Sequence, residues 1–218
     1  MKKISLQHFS ELVSTGHLVV DTRKPEVFCD GFIVESISIP FSESFIDAFQ
    51  ELVEDSQPVL IIADEEQIDQ LSKIFRLHTQ DNVGGYLEGG YEAWREAGKK
   101  IDMLIGVEAD EFAIDYNFDE FYLVDVRTAE EYQAEHIEDA ENIALIDLER
   151  VLIDLDEPGN YYVYGNTIPE TTTAGSIFKR NGFDRVRIVL SDYTSLRESG
   201  VSLYKPKKSK TDTKFSDN

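Results

Sequence analysis

The chain has 218 residues, 41% hydrophobic and 29% charged, with 21 Lys+Arg against 43 Asp+Glu and a net charge of −22. That length makes one large domain or two small ones, and the charge makes nucleic acid and anionic membrane surfaces poor partners. There is no apolar run of the ~18 residues a membrane span needs and no apolar core for a signal peptide in MKKISLQHFS, and the single cysteine, Cys29, excludes an intrachain disulfide and a cysteine metal cage. A cytoplasmic protein with no cofactor and no metal is expected.

Taken in order, Ser5 is placed to cap a helix with Leu6, Phe9, Leu12 and Val13 on one face. Leu18-Val19-Val20, ending at Asp21, reads as a buried strand. Ser42 or Ser44 opens a helix through Phe45, Phe49, Leu52 and Val53, and Val59-Leu60-Ile61-Ile62 is the next buried strand. A helix over 65–78, a strand over 83–87 and a helix over 91–97 ending at Gly98 follow. Gly84-Gly85 within that strand suggests a bulge or a close backbone approach, and Trp94 reads as core packing. The same order then returns: helix 109–116, strand 121–124, helix 145–153, strand 161–164, helix 171–181, strand 187–190, helix 193–199. Thr171 or Thr172 is expected to cap the helix that opens there.

The return is also literal. Asp21-Thr22-Arg23-Lys24-Pro25-Glu26-Val27-Phe28 recurs 104 residues later as Asp125-Val126-Arg127-Thr128-Ala129-Glu130-Glu131-Tyr132. Arg95-Glu96-Ala97-Gly98 recurs as Arg197-Glu198-Ser199-Gly200. A period near 100 residues is a domain, not a solenoid turn. Apolar strands alternating with helices predict an α/β fold with a mostly parallel sheet flanked by helices in each copy. Residues 1–101 and 102–203 are expected as the two domains, with no long linker between them, so that they pack together. Residues 204–218 are expected as a basic disordered tail. The three stretches divide nearly as the charge does: −10 over 1–103, −15 over 104–203 and +3 over 204–218.

These residues resemble the rhodanese-like superfamily. The resemblance rests on the two Asp-x-Arg runs, on Gly31-Phe32-Ile33 and Glu135-His136-Ile137, on Ile39-Pro40 and Asn142-Ile143, and on the segment DNVGGYLEGGYEAW over 81–94. That segment also looks like the first of the paired rhodanese modules fused behind a metallo-β-lactamase-fold domain in some bacterial sulfur-metabolism proteins. No H-x-H-x-D-H motif accompanies it here. The resemblance implies two tandem rhodanese-like domains, and it implies chemistry on a cysteine after the fourth strand. That cysteine carries sulfur in a loop of backbone N–H groups running into a helix N-terminus.

Neither loop has that cysteine. In the first copy the position is Ala63, followed by Asp64, Glu65 and Glu66, three carboxylates where an anion should be welcomed. In the second the loop is Gly165, Asn166, Thr167, Ile168, Pro169, Glu170 and Thr171. Set against C-x-G-G-x-R-S, the pattern of a working module, Gly165 stands at the cysteine and Glu170 at the arginine. Thr167 and Ile168 stand at the glycines, and Pro169 lacks an N–H. Asp21 with Arg23, and Asp125 with Arg127, are expected to brace the loop after the first strand of each copy rather than to react. Cys29 is expected as a half-buried structural cysteine in the turn before Gly31. The expectation is therefore a catalytically inactive interaction or sulfur-metabolism accessory module with a protein partner, a sulfur-handling enzyme being the first candidate. The alternatives are a sulfurtransferase using Cys29 or a partner's cysteine, and a small-ligand binding domain.

Overall fold

The structure, a computed structural model, describes residues 1–118, 120–155 and 159–206. The first unit runs β1 (Lys3–Ile4), α1 (Leu6–Ser14), β2 (Leu18–Asp21), α2 (Pro25–Cys29), β3 (Phe32–Ile33), β4 (Ile37–Ser38), α3 (Phe45–Leu52) and β5 (Val59–Ile62). After a 3-10 turn (Glu65–Gln67) come α4 (Ile68–Leu77), β6 (Val83–Leu87), α5 (Gly90–Glu96) and β7 (Ile101–Asp102). The second unit runs β8 (Ile105–Val107), α6 (Ala109–Phe118), β9 (Tyr122–Asp125), α7 (Ala129–Ala134), β10 (His136–Ile137) and β11 (Glu141–Asn142). After a second 3-10 turn (Leu145–Asp147) come α8 (Leu148–Asp154), β12 (Tyr161–Tyr164), α9 (Ile168–Arg180), β13 (Val186–Val189), α10 (Tyr193–Glu198) and β14 (Leu203–Tyr204).

Each unit builds one five-stranded sheet, ordered β1-β6-β5-β2-β4 and β8-β13-β12-β9-β11, with every neighbouring pair parallel. The central strands are buried on both faces, which is why they read as unbroken apolar runs. Alternation then sorts their side chains into two layers. Leu18, Val20, Val59 and Ile61 face Phe45, Phe49 and Phe75, while Val19, Leu60 and Ile62 face Phe9 and Trp94. Trp94 packs edge-on to Phe9 and its indole N–H donates to the Lys100 carbonyl. Gly84 is the extra residue in the β5–β6 ladder, where Val59 pairs with Val83 and Leu60 with Gly85. Gly85, at φ +152°, has no room for a Cβ, which would lie 2.2 Å from the Lys2 carbonyl of β1's approach.

The units share a core. Phe28, Cys29 and Ile37 of the first belong to one apolar cluster with Leu104, Ala174 and Ile177 of the second. Helix α9 lies against β4 and α2, and the Ser38 N–H donates to Ser176 Oγ at 2.9 Å. A Cβ on Gly175 would meet Leu104 at 2.6 Å, so the small run Thr-Thr-Thr-Ala-Gly-Ser of α9 is what lets the linker residue seat. Lys179 pairs with Asp102 at 3.1 Å across the same seam.

Some sequence expectations shift. The helix predicted from 171 begins at Ile168, and the helices predicted from 65 and 145 begin as 3-10 turns. Cys29 ends helix α2 instead of standing in a turn, and it is buried. Asp102 pairs with Phe32 of the first unit, across the expected boundary at 101/102. The tail expected from 204 begins with an ordered residue, since Tyr204 pairs with His136 and Lys205 reaches Glu135 at 2.6 Å. Its residues 207–218 lie outside the described residues. Among the described residues no helix is long and apolar enough to cross a membrane.

Candidate functional site

Parallel pairing sets β2 beside β5 and β9 beside β12, so Asp21 lies next to Ile62 and Asp125 next to Tyr164. The two loops that begin there meet at the carboxyl ends of the strands, where ligands of open α/β sheets bind.

Each Asp-x-Arg pair is a closed structure. The Arg23 guanidinium donates to both oxygens of Asp21, at 2.6 Å for the shortest contact, and to the Gly31 carbonyl at 2.9 Å. Arg127 does the same with Asp125 (2.6 Å) and the Glu135 carbonyl (2.8 Å). Both carboxylates are wholly buried, and each backbone N–H of the arginine also donates to its aspartate. Burial pulls the Arg127 pKa down, but the hydrogen bonds and charge of Asp125 outweigh it and hold the group above its ordinary value. The guanidinium planes lie on tyrosines, Arg23 on Tyr91 at 4.0 Å and Arg127 on Tyr193 at 3.6 Å. Tyr91 and Tyr193 are 102 residues apart, the offset of the later repeat segments. That spacing is the signal by which the sequence marks them, although charge-hunting passes over them. Held by the aspartate carboxylate, a backbone carbonyl and a tyrosine ring, these arginines tie the loop to the following turn.

The first loop is open. Ala63 is buried at its base, while Asp64, Glu65 and Glu66 are exposed. A cavity of about 380 Å³ lies beside it, bounded by Ala63, Asp64, Glu65, Tyr86, Gly90 and Tyr91 among others.

The second loop is closed by its own side chain. Gly165 is buried, and Glu170 folds back over it from the first turn of α9. The Asn166 N–H donates to Glu170 Oε2 at 2.6 Å. A Cβ on residue 165 would lie 2.8 Å from that oxygen and 3.0 Å from the carboxyl carbon. The carboxylate therefore occupies the space a side chain at 165 would enter. Burial raises the Glu170 pKa, assisted by the charges of Glu131 and Asp125; the backbone N–H groups of Asn166 and Thr167 oppose the rise. The Asn166 side chain donates to Glu131 at 2.8 Å, which anchors the loop to α7.

Thr167, not Thr171 or Thr172, caps α9: its hydroxyl accepts the Glu170 N–H. Pro169 falls at the second helical position, where its missing N–H has no partner to lose and its fixed φ favours the helix. The helix therefore starts before the threonines. Thr171, Thr172 and Thr173 return their hydroxyls to the carbonyls of Thr167, Ile168 and Pro169 at 2.9–3.0 Å. Their hydroxyl protons are committed to the helix.

Cys29 is far from both loops in role. It is 7% exposed, packed at the seam, with the Thr172 side chain in hydrogen-bonding reach. Burial, with Asp30 and Glu26 adding to it, pushes its thiol up to about 11 against the help of Thr172. A thiol so held is nearly all protonated at neutral pH and a poor nucleophile.

The rhodanese-like domain family matches the chain twice, over residues 5–97 and 108–198. Among curated proteins none matches significantly. Among solved structures the chain is similar to the rhodanese-like domain of the Alr3790 protein from Anabaena sp. (23% identity, 53% of this chain and 90% of that one, TM-score 0.46). It is also similar to a thiosulfate sulfurtransferase from Pseudomonas aeruginosa (17%, 95% and 44%, TM-score 0.40). A third is protein hp1203 from Helicobacter pylori (18%, 46% and 88%, TM-score 0.40). With two family matches that span most of its length and two sheets of the same strand order, the chain belongs to the rhodanese-like family as a tandem pair of its domains.

Proposed function

We propose that this tandem pair is catalytically silent and serves as a cytoplasmic docking module beside a sulfur-handling enzyme, of the kind carried by the metallo-β-lactamase fusions its sequence resembles. The observation that carries the reading is the state of the second loop. The position of the sulfur-bearing cysteine is a glycine, and a carboxylate from the same loop fills the space above it. A negative charge there opposes both a thiolate and an anionic sulfur donor. The first loop supports the reading by having Ala63 at the corresponding place. Cys29 supports it by being buried, with its thiol pushed up to about 11.

The test is a thiosulfate:cyanide sulfurtransferase assay on the wild type and Cys29→Ser. No turnover above the uncatalysed rate in either is expected. Turnover in the wild type that disappears in Cys29→Ser would make Cys29 a sulfur carrier and refute the proposal. Equal turnover in both would refute it as well, since a site other than the one thiol would then be working.

A further inference from the structure

The two loops have diverged in opposite ways. The second is filled by its own Glu170, whereas the first keeps a cavity of about 380 Å³, a volume at the small end of the range for ligand pockets. Val27, Ile68 and Tyr86 give this cavity apolar wall, with Ala63 at its base. Three carboxylates line it, Asp64, Glu65 and Glu92, together with the cations Lys3 and Arg23. The cations are already engaged. Arg23 is bound to Asp21 and the Gly31 carbonyl, and Lys3 pairs with Glu88 at 3.4 Å. Glu92 pairs with Arg95. Among the described residues no cation pairs with Asp64 or Glu65, and both are exposed at the rim. The cavity thus has an apolar wall and two unneutralised carboxylates at its mouth. That combination suits a long side chain with an aliphatic stem and a cationic end.

We infer that the cavity beside Ala63 receives a lysine or arginine side chain of a protein partner. The inference rests on the docking reading above and names the chemistry of the contact. It also reverses the sign of ligand expected in a sulfur-transferring member of the family, where an anion would enter. The rim carboxylates steer and hold the cation, and the wall covers the stem. The absence of a side chain beyond Cβ at residue 63 leaves the depth for it.

The test is an NMR titration of the ¹⁵N-labelled full chain with Nα-acetyl-arginine amide, Nα-acetyl-glutamate amide and thiosulfate. Saturable shifts from the arginine compound are expected at the amides of residues 63–65 and 89–92. Asp64→Asn/Glu65→Gln, at two exposed positions, should keep the dispersed spectrum and weaken that binding by about five- to tenfold, the worth of two exposed charge pairs. No saturable shift at those amides, equal shifts from the glutamate compound, or unchanged binding in the double variant would each overturn the inference while leaving the silent reading intact. Saturable thiosulfate shifts at residues 63–65 would overturn both.

Discussion

Substituting Gly165 by alanine places a methyl group where a Cβ meets Glu170 Oε2 at 2.8 Å and its carboxyl carbon at 3.0 Å. Those separations are below van der Waals contact, and the far end of the glutamate is what can move. Moving it breaks the 2.6 Å bond from the Asn166 N–H. A net intramolecular hydrogen bond is worth about 0.5–1.5 kcal/mol, and an off-rotamer glutamate adds a comparable amount, so displacement costs about 1–3 kcal/mol. Against this, alanine narrows the unfolded ensemble and contributes about 0.4–1 kcal/mol where the native backbone accepts it. Gly165 does not sit in the left-handed region, so the backbone accepts it. Gly165→Ala should therefore be neutral to destabilising by about 2 kcal/mol in the wild type. In a Glu170→Ala background the same change should be stabilising. Urea unfolding of the four proteins gives the coupling, expected at about 1–3 kcal/mol, well above the few tenths by which independent sites depart from additivity. Gly165→Ala having the same effect in both backgrounds would mean that the carboxylate does not fill the loop, and the case for a closed second site would fail with it.

Glu170→Gln keeps an acceptor for the Asn166 N–H without a buried charge. The folded protein raises the Glu170 pKa above 4.5, chiefly through burial, so in the window above 4.5 the folded state binds more protons and stability falls as pH rises. The variant should accordingly be the more stable protein at pH 7 and lose that advantage below about pH 4.5, as read from thermal unfolding across pH; an advantage that persists in acid would point to a cause other than ionisation. Arg127→Met leaves Asp125 buried and unpaired and should cost about 3–5 kcal/mol in urea unfolding, the range for breaking a buried ion pair. Arg150→Met, which removes an exposed pair with Asp147, should stay within about 0.5 kcal/mol, and similar costs for the two would refute the bracing role.

What the sequence discloses follows from where the determining forces act. Val59–Ile62 and Tyr161–Tyr164 identify themselves because a strand buried on both faces must be apolar throughout, and the 104-residue offset fixes the duplication. The loops are placed by the same repeat. Strands of two or three residues such as β1 and β8 escape because so short a segment carries no readable alternation. The start of α9 escapes for a different reason: three threonines in a row look like caps, whereas Pro169 and the Thr167 cap commit the helix earlier. The direction of the Glu170 side chain is not local information at all. It depends on the empty space over Gly165, and a residue-by-residue comparison with the family pattern places Glu170 at an arginine position without showing that it turns inward. Burial of Cys29 likewise depends on α9 arriving from 140 residues away in the chain, with Thr172 among its neighbours.

Helix α9 ties the loop closed by Glu170 to the joint between the domains. Its first turn holds the Thr167 cap and Glu170, and the following turns are buried, with Thr172 reaching Cys29 and Ser176 accepting from the Ser38 N–H. A helix gripped this way presents its N-terminal turn at a fixed angle, so loop geometry and domain packing are set by the same residues. Among the described residues, the equivalent helix in the first unit, α4, buries Leu71 and Phe75 alone, and its loop carries the open cavity. The asymmetry between a filled loop and an open one therefore follows the asymmetry of the joint. The unit whose helix became the interface has a loop closed from within, and the unit whose helix stayed at the surface keeps a cavity that an outside side chain can enter.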